Sequence, residues 1–390
     1  MASRDQAIPQ LRRTRIVCIS DTHNQTPKLP KGDILIHAGD LTNQGSFTEL
    51  KKTVDWLEKA NFEAKIVIAG NHDITLDADF YKQHGSSWRW PRPQDPEQCR
   101  SLLIDSQSIT FLENEAASIF LSAPTGPHTC FKVFGSPCTP KLWNWAFQYG
   151  SEDAAQLWDA IPSDTDIVVT HTPPRNHCDA AGTKERTGCE ALLNVLSRVR
   201  PMLSIFGHIH EARGVERVQW NENSSDGCLE ESVEVWKDSG IGNNKQSLVN
   251  LTLKGGRPLR TAATMTRHNS INFLSLTSSS PMGDLGVQPD VPQPGVLNST
   301  SRPKGVPVFE SEANGKIRRM LGGAIEYRQA PSRQSDIGFA APFDVGAVER
   351  RAARKETCMI NAAFLGPHFS GGPKQFNKPI VVDVDLPVWS

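Results

Sequence analysis

The sequence lacks several features that would each point to a class of protein. No uninterrupted apolar run approaches the roughly 18 residues of a membrane span, and the opening stretch MASRDQAIPQLRR has no apolar core of the kind a secretory signal needs. No C-x-x-C pair occurs among the eight cysteines, so we predict free thiols and no disulfide framework. We therefore expect a cytoplasmic protein that does not enter a membrane.

An excess of charge of one sign is also missing. The chain has 42 Lys and Arg residues against 43 Asp and Glu residues, for a net charge of −1. Such a balance does not steer a protein towards nucleic acid or acidic membranes. We predict no nucleic-acid partner and no membrane partner, and the sequence makes no prediction of oligomeric state.

Short apolar runs alternate with helical patterns. Six runs rich in Ile and Val have the composition of buried strands, at 14–20, 33–39, 65–70, 131–136, 166–170 and 202–207. Residues 46–60 carry Phe47, Leu50, Val54 and Leu57 on one helical face behind a Ser46–Glu49 capping box, and residues 188–201 repeat the helical pattern. This alternation predicts an α/β fold with helices covering the sheets.

The composition changes after residue 219. Residues 275–305 are rich in Ser, Pro and Gly, and strand patterns return only at 357–365 and 377–387. Two terminal strands do not form a stable unit in water, so they should rejoin the main sheets. We predict one domain made of residues 14–219 and 356–388, interrupted by a largely disordered insertion at 220–355. A second small domain within the insertion is the alternative.

Potential metal ligands follow five of the predicted strands. They are Asp21 and His23, then Asp40, then the run Asn71, His72 and Asp73, then His171, and finally His208 and His210. Open α/β sheets place their sites at the carboxyl ends of strands, so these side chains should meet. Carboxylate, amide and imidazole together suit Mn, Fe or Zn better than a metal that prefers thiolates.

This series resembles the calcineurin-like metallophosphoesterase superfamily. The matching motifs are D-x-H, G-D, G-N-H-D, a lone His and G-H-x-H, in that order. The stretches GSPCTPKLWNWAF (135–147) and FGHIHE (206–211) are similar to a small branch related to class III cyclic-nucleotide phosphodiesterases and animal brain metallophosphoesterases. The resemblance covers residues 14–218 and resumes at 357–387. It implies a four-layer α/β/β/α sandwich of two mixed sheets.

The resemblance also implies a ligand set for two divalent metal ions, Mn first, with Fe, Zn or Mg as alternatives. Asp40 would bridge the two ions. The first ion would take Asp21, His23 and His210, and the second would take Asn71, His171 and His208. His72 would stand beside the metals as a general acid, with Asp73 orienting it, although a turn cap is an equal alternative for Asp73.

The implied function is hydrolysis of a small-molecule phosphomonoester or phosphodiester, with a nucleotide or cyclic nucleotide as the expected substrate. A hydroxide held between the metals would attack phosphorus. A nucleotide-binding or scaffold protein with weak or no turnover is one alternative, and a protein Ser/Thr phosphatase is another.

Secondary predictions concern the mouth of the site. Arg175 and His177 are candidate substrate-binding residues, although a solvated arginine and a plain loop histidine are the more common cases. Trp143, Trp145 and Phe147 should face the same way if the run is extended, where packing is more common than a wall for a nucleobase. His208 and His210 should serve different metals although they are only two residues apart.

Overall fold

A computed structural model describes residues 10–182, 185–221, 229–238, 246–262, 316–321, 324–329, 353–367 and 373–389. The chain divides into two units. The larger comprises residues 1–272 and 345–390, and the smaller comprises residues 273–344.

The described strands and helices are as follows. The strands are β1 (Leu11–Ile19), β2 (Ile34–Ala38), β3 (Ala64–Ile68), β4 (Thr110–Phe111), β5 (Glu115–Phe120), β6 (Cys130–Ser136), β7 (Thr139–Pro140), β8 (Gln148–Tyr149), β9 (Ile167–Thr170), β10 (Leu203–Phe206), β11 (Gly214–Trp220), β12 (Glu230–Val235), β13 (Ser247–Asn250), β14 (Lys316–Leu321), β15 (Ala324–Gln329), β16 (Glu356–Asn361) and β17 (Ile380–Pro387). The helices are α1 (Phe47–Lys59), α2 (Ala78–His84), α3 (Pro96–Ile104), α4 (Ala154–Asp159) and α5 (Glu190–Val199).

The first large sheet of the larger unit has six strands in the order β13-β17-β1-β2-β3-β4. Strands β1 to β4 run parallel, so their carboxyl ends lie at one edge of the sheet. Strand β17 pairs antiparallel with β1, with Leu11 opposite Pro387 and Cys18 opposite Ile380. The predicted terminal strand therefore returns to this sheet, where it lies between β13 and β1.

The second large sheet has seven strands in the order β12-β11-β16-β10-β9-β6-β5. Strands β16, β10, β9 and β6 are parallel to their neighbours in that run. Strands β11, β12 and β5 pair antiparallel, so both large sheets are mixed. The other predicted terminal strand, β16, lies between β11 and β10, so it also rejoins a main sheet.

Three apolar clusters separate four layers. Ile16 and Ile34 of the first sheet meet Val133 and Ile205 of the second in the inner cluster, where all are buried. A second cluster packs α1 and α3 on the outer face of the first sheet, and a third packs α4 and α5 on the outer face of the second. The predicted α/β/β/α sandwich is confirmed, because alternate strand residues fill an inner and an outer core.

The predicted α1 helix forms with the expected start. The Ser46 side chain accepts from the backbone of Glu49, and the Glu49 side chain accepts from the backbone of Ser46, so the capping box is complete. Leu50, Val54 and Leu57 are buried as predicted, but Phe47 is 36% exposed. Phe47 is the first helical residue, and it lies beyond the edge of the face that packs on the sheet.

The predicted boundary of the insertion at residue 220 is wrong. Strand β12 is an edge strand of the second sheet, and β13 is an edge strand of the first, with Ser247 opposite Ile380. The sequence of β12, EESVEV, is mostly exposed, so it has no apolar run to reveal it. In the smaller unit, β14 and β15 form an antiparallel pair. The predicted disorder at 263–315 and 330–352 lies outside the described residues.

Two further expectations concern membranes and cysteines. None of the helices in the described part of the chain has the length and hydrophobicity needed to cross a membrane. Cys18, Cys99, Cys138, Cys178, Cys189 and Cys358 are free thiols. Cys228 lies outside the described residues.

Candidate metal centre

Three buried side chains and one half-buried side chain, that of His210, meet where β1, β2 and the segment after β10 come together. This group consists of Asp21, His23, Asp40 and His210, and one ligand atom from each lies within 4.8 Å of every other. His23 Nε2 is 3.5 Å from Asp40 Oδ2, and His210 Nε2 is 3.3 Å from Asp21 Oδ1. Two carboxylates and two imidazoles at this spacing form a donor set that suits a divalent ion such as Mn, Fe or Zn.

A second group lies on the other side of Asp40. His171 Nε2 is 3.3 Å from Asp40 Oδ1 and 3.1 Å from Asn71 Oδ1. The rings of His171 and His208 are 5.0 Å apart between centroids. The two oxygens of Asp40 thus face two different sets of donors, as a carboxylate shared between two ions would.

One imidazole of each group is oriented by a backbone carbonyl. His171 Nδ1 donates to the carbonyl oxygen of Ala38 at 2.8 Å, and His23 Nδ1 donates to that of Thr42 at 3.1 Å. Both bonds leave Nε2 as the nitrogen free to bind a metal. Outer hydrogen bonds of this kind fix the tautomer and ring orientation of metal-binding histidines.

The backbone around the centre is strained. Four of the seven predicted ligands are in the left-handed region, with φ of 54° at Asp21, 44° at His23, 51° at Asp40 and 69° at His208. Residues with a Cβ avoid this region, because the strained conformation costs about 1–3 kcal/mol for each residue. Such strain concentrates at functional sites. Packing alone does not account for four such residues in one cluster.

Two glycines allow the chain to approach the carboxylates. A Cβ on Gly207 would lie 2.1 Å from Asp21 Oδ2, and a Cβ on Gly70 would lie 2.3 Å from Asp40 Oδ1. Any side chain at either position would therefore displace a carboxylate of the centre. The absence of a side chain at Gly207 and Gly70 therefore leaves the room that this close approach needs.

The electrostatics of the centre keep both carboxylates ionised. Although burial raises the pKa of Asp21, its hydrogen bond to His210 and the charge of that residue lower it to about 2. Burial also raises the pKa of Asp40, but the charge of His171 lowers it and holds it well below its usual range. Burial lowers the pKa of His171, but the charge of Asp40 raises it to about 9. A metal ion must therefore compete with a proton on His171.

His72 lies at the edge of this centre. Its backbone N–H donates to Asp40 Oδ1 at 2.9 Å, and its Nδ1 donates to the carbonyl oxygen of Asn43 at 2.9 Å. Its ring centroid is 4.8 Å from that of His23 and 4.0 Å from that of Trp145. His72 is half-buried, so it can reach a bound molecule as the predicted general acid would need to.

Asp73 does not orient His72, contrary to the prediction. Its Oδ1 accepts from the backbone N–H of Thr42 at 2.9 Å and from the Thr42 hydroxyl at 2.7 Å. Its Oδ2 accepts from the backbone N–H groups of Leu41 at 3.1 Å and Gly70 at 2.9 Å. Its side chain does not cap the short 3-10 helix that follows it. The bond to Gly70, together with the 3.1 Å bond from the Asp73 backbone N–H to the Gly70 carbonyl oxygen, instead closes the turn between these two residues, in keeping with the alternative of a turn cap. Asp73 ties the loop after Asp40 to the loop that carries Asn71.

His208 and His210 lie in different surroundings. The ring of His208 faces His171, whereas His210 Nε2 faces Asp21 and lies 3.3 Å from His23 Nε2. The left-handed φ of 69° at His208 breaks the alternation of an extended chain. The two imidazoles therefore reach the two sides of Asp40.

The two candidate substrate-binding residues differ in their placement. Arg175 is exposed, and its backbone N–H donates to the carbonyl oxygen of Cys189 at 3.1 Å, so its role stays a prediction. His177 is 1% exposed, and its two ring nitrogens bind Glu216 at 2.8 Å and Glu230 at 2.9 Å. This placement contradicts the predicted substrate contact, because neither ring nitrogen is free.

His177 should make the stability of the fold depend on pH. Burial lowers its pKa, but hydrogen bonds to Glu216 and Glu230 raise it from 6.5 to about 9. The stabilisation is therefore complete below about pH 6.5 and is lost as the pH rises through about 9. We expect urea unfolding to report a loss on the order of 3 kcal/mol across this window.

The matched variant for this prediction is His177→Gln, which should remove most of the pH dependence. His84→Gln, on α2 where the ring packs against Phe80, should keep it. Equal pH profiles for the wild type and His177→Gln would contradict the assignment.

Several positioning residues were missed from the sequence. Asn361, at the end of β16, donates from Nδ2 to the carbonyl oxygens of Ile209 at 2.9 Å and Cys178 at 3.0 Å. It thereby fixes the segment between His208 and His210. The sequence did contain a signal for Asn361, because the run INA at 360–362 lies in the stretch 357–387 that resembles the metallophosphoesterase superfamily. The carbonyl of Asn43 had no such signal, since any residue supplies a carbonyl.

The aromatic run near the site does not share one face. Trp143 is 80% exposed, Phe147 is buried, and Trp145 packs on His72. The expectation of a common face is wrong because the run is not extended. Trp143 and Phe147 have left-handed φ values of 58° and 57°.

A two-sheet sandwich with carboxylates and imidazoles gathered at its strand ends is a scaffold that can hold metal ions for hydrolysis. The sequence model described as calcineurin-like phosphoesterase matches residues 14–212. The chain belongs to this family, whose domain hydrolyses phosphoester bonds.

Three relatives show how far the similarity extends. "Probable rhamnogalacturonate lyase C" of Emericella nidulans is 44% identical over 209 residues, which are 53% of this chain and 18% of that protein. Metallophosphoesterase domain-containing protein 1 of Homo sapiens is 39% identical, over 52% of this chain and 62% of its own. UPF0046 protein K07C11.7 of Caenorhabditis elegans is 35% identical, over 52% of this chain and 65% of that protein. This chain thus spans less than two thirds of each relative.

Proposed function

We propose that this chain hydrolyses a phosphomonoester or phosphodiester of a small molecule, with a nucleotide or cyclic nucleotide as the substrate. The observation that carries the proposal is the cluster of Asp21, His23, Asp40 and His210 at the strand ends of a calcineurin-like phosphoesterase domain. The net charge of −1 favours a small substrate over nucleic acid.

The ligand assignment follows the two faces of Asp40. Asp21, His23 and His210 would hold one divalent ion together with Asp40. Asn71, His171 and His208 would hold the other, again with Asp40. The 3.5 Å and 3.3 Å separations of the Asp40 oxygens from His23 and His171 support this division. Mn is the first candidate for both positions, with Fe, Zn or Mg as alternatives.

Two divalent ions, when bound, would supply an activated water and positive charge for the phosphoryl oxygens. The residues of the chain have separate tasks. Asp40 joins the two ligand groups, and the carbonyls of Ala38 and Thr42 hold His171 and His23 in the ligand orientation. His72 Nε2 would donate a proton to the leaving oxygen, since its Nδ1 is already engaged by Asn43.

Elemental analysis followed by a hydrolysis screen tests the proposal. The full chain should bind two divalent ions, and with added Mn it should hydrolyse bis-p-nitrophenyl phosphate and members of a nucleotide and cyclic-nucleotide panel. A folded, metal-replete protein that hydrolyses no phosphoester would instead support a binding or scaffold role. Activity confined to phosphoserine or phosphothreonine peptides would support a protein phosphatase.

His210→Ala should separate the two metal positions. Loss of one imidazole beside Asp21 should weaken one site on the order of 10- to 100-fold in affinity, at least as much as the loss of an outer-shell partner. Titration with Mn should then show one tight and one weak ion per chain, against two tight ions for His84→Ala. If both ions bound equally more weakly, or if neither bound more weakly, the division between the two faces of Asp40 would be contradicted.

A further inference from the structure

We propose that Trp145 is a positioning residue that holds the imidazole of His72 in its working orientation. The inference rests on the proposed function, because it assigns the support of the group that would protonate the leaving oxygen. The two ring centroids are 4.0 Å apart, and the ring planes are tilted by 34°. At this distance the indole covers one face of the imidazole.

His72 needs such support because its other constraints leave a degree of freedom. The backbone bond to Asp40 Oδ1 fixes the main chain, and the Nδ1 bond to the carbonyl of Asn43 fixes one atom of the ring. A ring held by a single hydrogen bond can still tilt about that bond. His23 approaches at 4.8 Å with nearly perpendicular ring planes, so it contacts the imidazole along an edge. Trp145 supplies the flat surface that removes the tilt.

Trp145 is itself held firmly against this part of the centre. The N–H of Ala146 donates to the carbonyl oxygen of Asn71 at 3.3 Å, and the N–H of Phe147 donates to Asp77 Oδ2 at 2.8 Å. The ring of Trp88 lies 5.0 Å from that of Trp145. The indole is therefore fixed relative to the loop that carries Asn71 and His72.

This arrangement separates positioning from direct substrate binding. A residue that acts through His72 should lower kcat and leave KM nearly unchanged, whereas a wall for the substrate should raise KM. Its effect should also disappear once His72 is gone, because two residues that work through one contact are not additive.

The first experiment measures kcat and KM of the full chain with bis-p-nitrophenyl phosphate and Mn. Trp145→Leu should lower kcat about tenfold with KM changed less than about twofold, while Trp145→Phe, which keeps a flat face, should retain at least about a third of kcat. In a His72→Gln background, Trp145→Leu should change kcat by less than about twofold. Trp56→Leu is the matched control, since Trp56 is half-buried and packs on the same apolar cluster.

The second experiment reads the ring of His72 without turnover. Long-range ¹H–¹⁵N spectra of the metal-free protein should contain a His72 ring signal, assigned by its loss in His72→Gln, that is shifted upfield by the indole. Trp145→Leu should move this signal downfield, and Trp56→Leu should leave it in place.

Three results would overturn the positioning role. They are an unmoved His72 signal in Trp145→Leu, a raised KM with unchanged kcat, and a full loss of kcat that persists in the His72→Gln background. A wild-type protein that hydrolyses no phosphoester would refute the proposed function instead. The spectra would then still decide whether Trp145 holds the ring.

Discussion

Asp40→Asn should abolish hydrolysis and lower the occupancy of both metal positions. Asp40 is 2% exposed and presents one oxygen to His23 and the other to His171. The amide removes the charge that both ligand groups share, and its nitrogen cannot bind a cation. We expect kcat/KM to fall at least about 10²-fold, equivalent to about 2.7 kcal/mol of transition-state stabilisation.

Metal content by elemental analysis and hydrolysis of bis-p-nitrophenyl phosphate check this prediction together. Asp55→Asn is the matched control, because Asp55 lies on the exposed side of α1 in an ion pair with Lys51. It should retain two metals and full activity. An Asp40→Asn protein with unchanged metal content and unchanged hydrolysis would end the dinuclear interpretation.

Asp73→Asn should destabilise the fold and loosen the metal centre. The Asp73 carboxylate accepts four hydrogen bonds. Three come from backbone N–H groups, which can only donate, and the fourth comes from the Thr42 hydroxyl, which can also accept. An amide nitrogen in place of either oxygen would face at least one buried N–H that then has no acceptor, at about 1–3 kcal/mol for each group left unpaired. We expect the free energy of unfolding to fall by about 2–3 kcal/mol.

Urea unfolding of the metal-free protein measures this loss without any contribution from bound ions. Asp55→Asn should change the stability by less than about 0.5 kcal/mol, as surface substitutions commonly do. Because Asp73 joins the Leu41–Thr42 segment to Gly70, the variant should also bind Mn more weakly. Full stability together with unchanged Mn affinity would show that the carboxylate is not needed for this connection.

Much of the candidate centre could be predicted from local sequence. Each strand at the centre of a sheet reads as an apolar run, and parallel neighbours must end at the same edge. Asp21, Asp40 and Asn71 follow three such strands, so their meeting required no knowledge of the loops. The capping box of Ser46 and Glu49 likewise predicts the start of α1 from local sequence.

Other features depend on partners that are distant in the chain. His177 is buried by Glu216 and Glu230, which lie 39 and 53 residues away. The sequence around His177 reads as a plain loop, and nothing local marks these glutamates as its partners. Strand β12 was missed for a different reason, because an edge strand needs only one neighbour and can be polar. Strand β13 pairs with β17, which lies about 130 residues further along the chain.

The sequence by itself determined the class of fold and the set of candidate ligands. Both depend on signals within short segments, namely the spacing of apolar residues and the residue types that follow each strand. Only the tertiary structure decided how those residues divide their tasks. It turned His208 away from His210 through a left-handed backbone and joined Asp73 to the Asp40 loop rather than to His72. It also set Trp145 against His72. These contacts arise from the packing of loops against one another, and the periodicity of the strands carries no information about that packing.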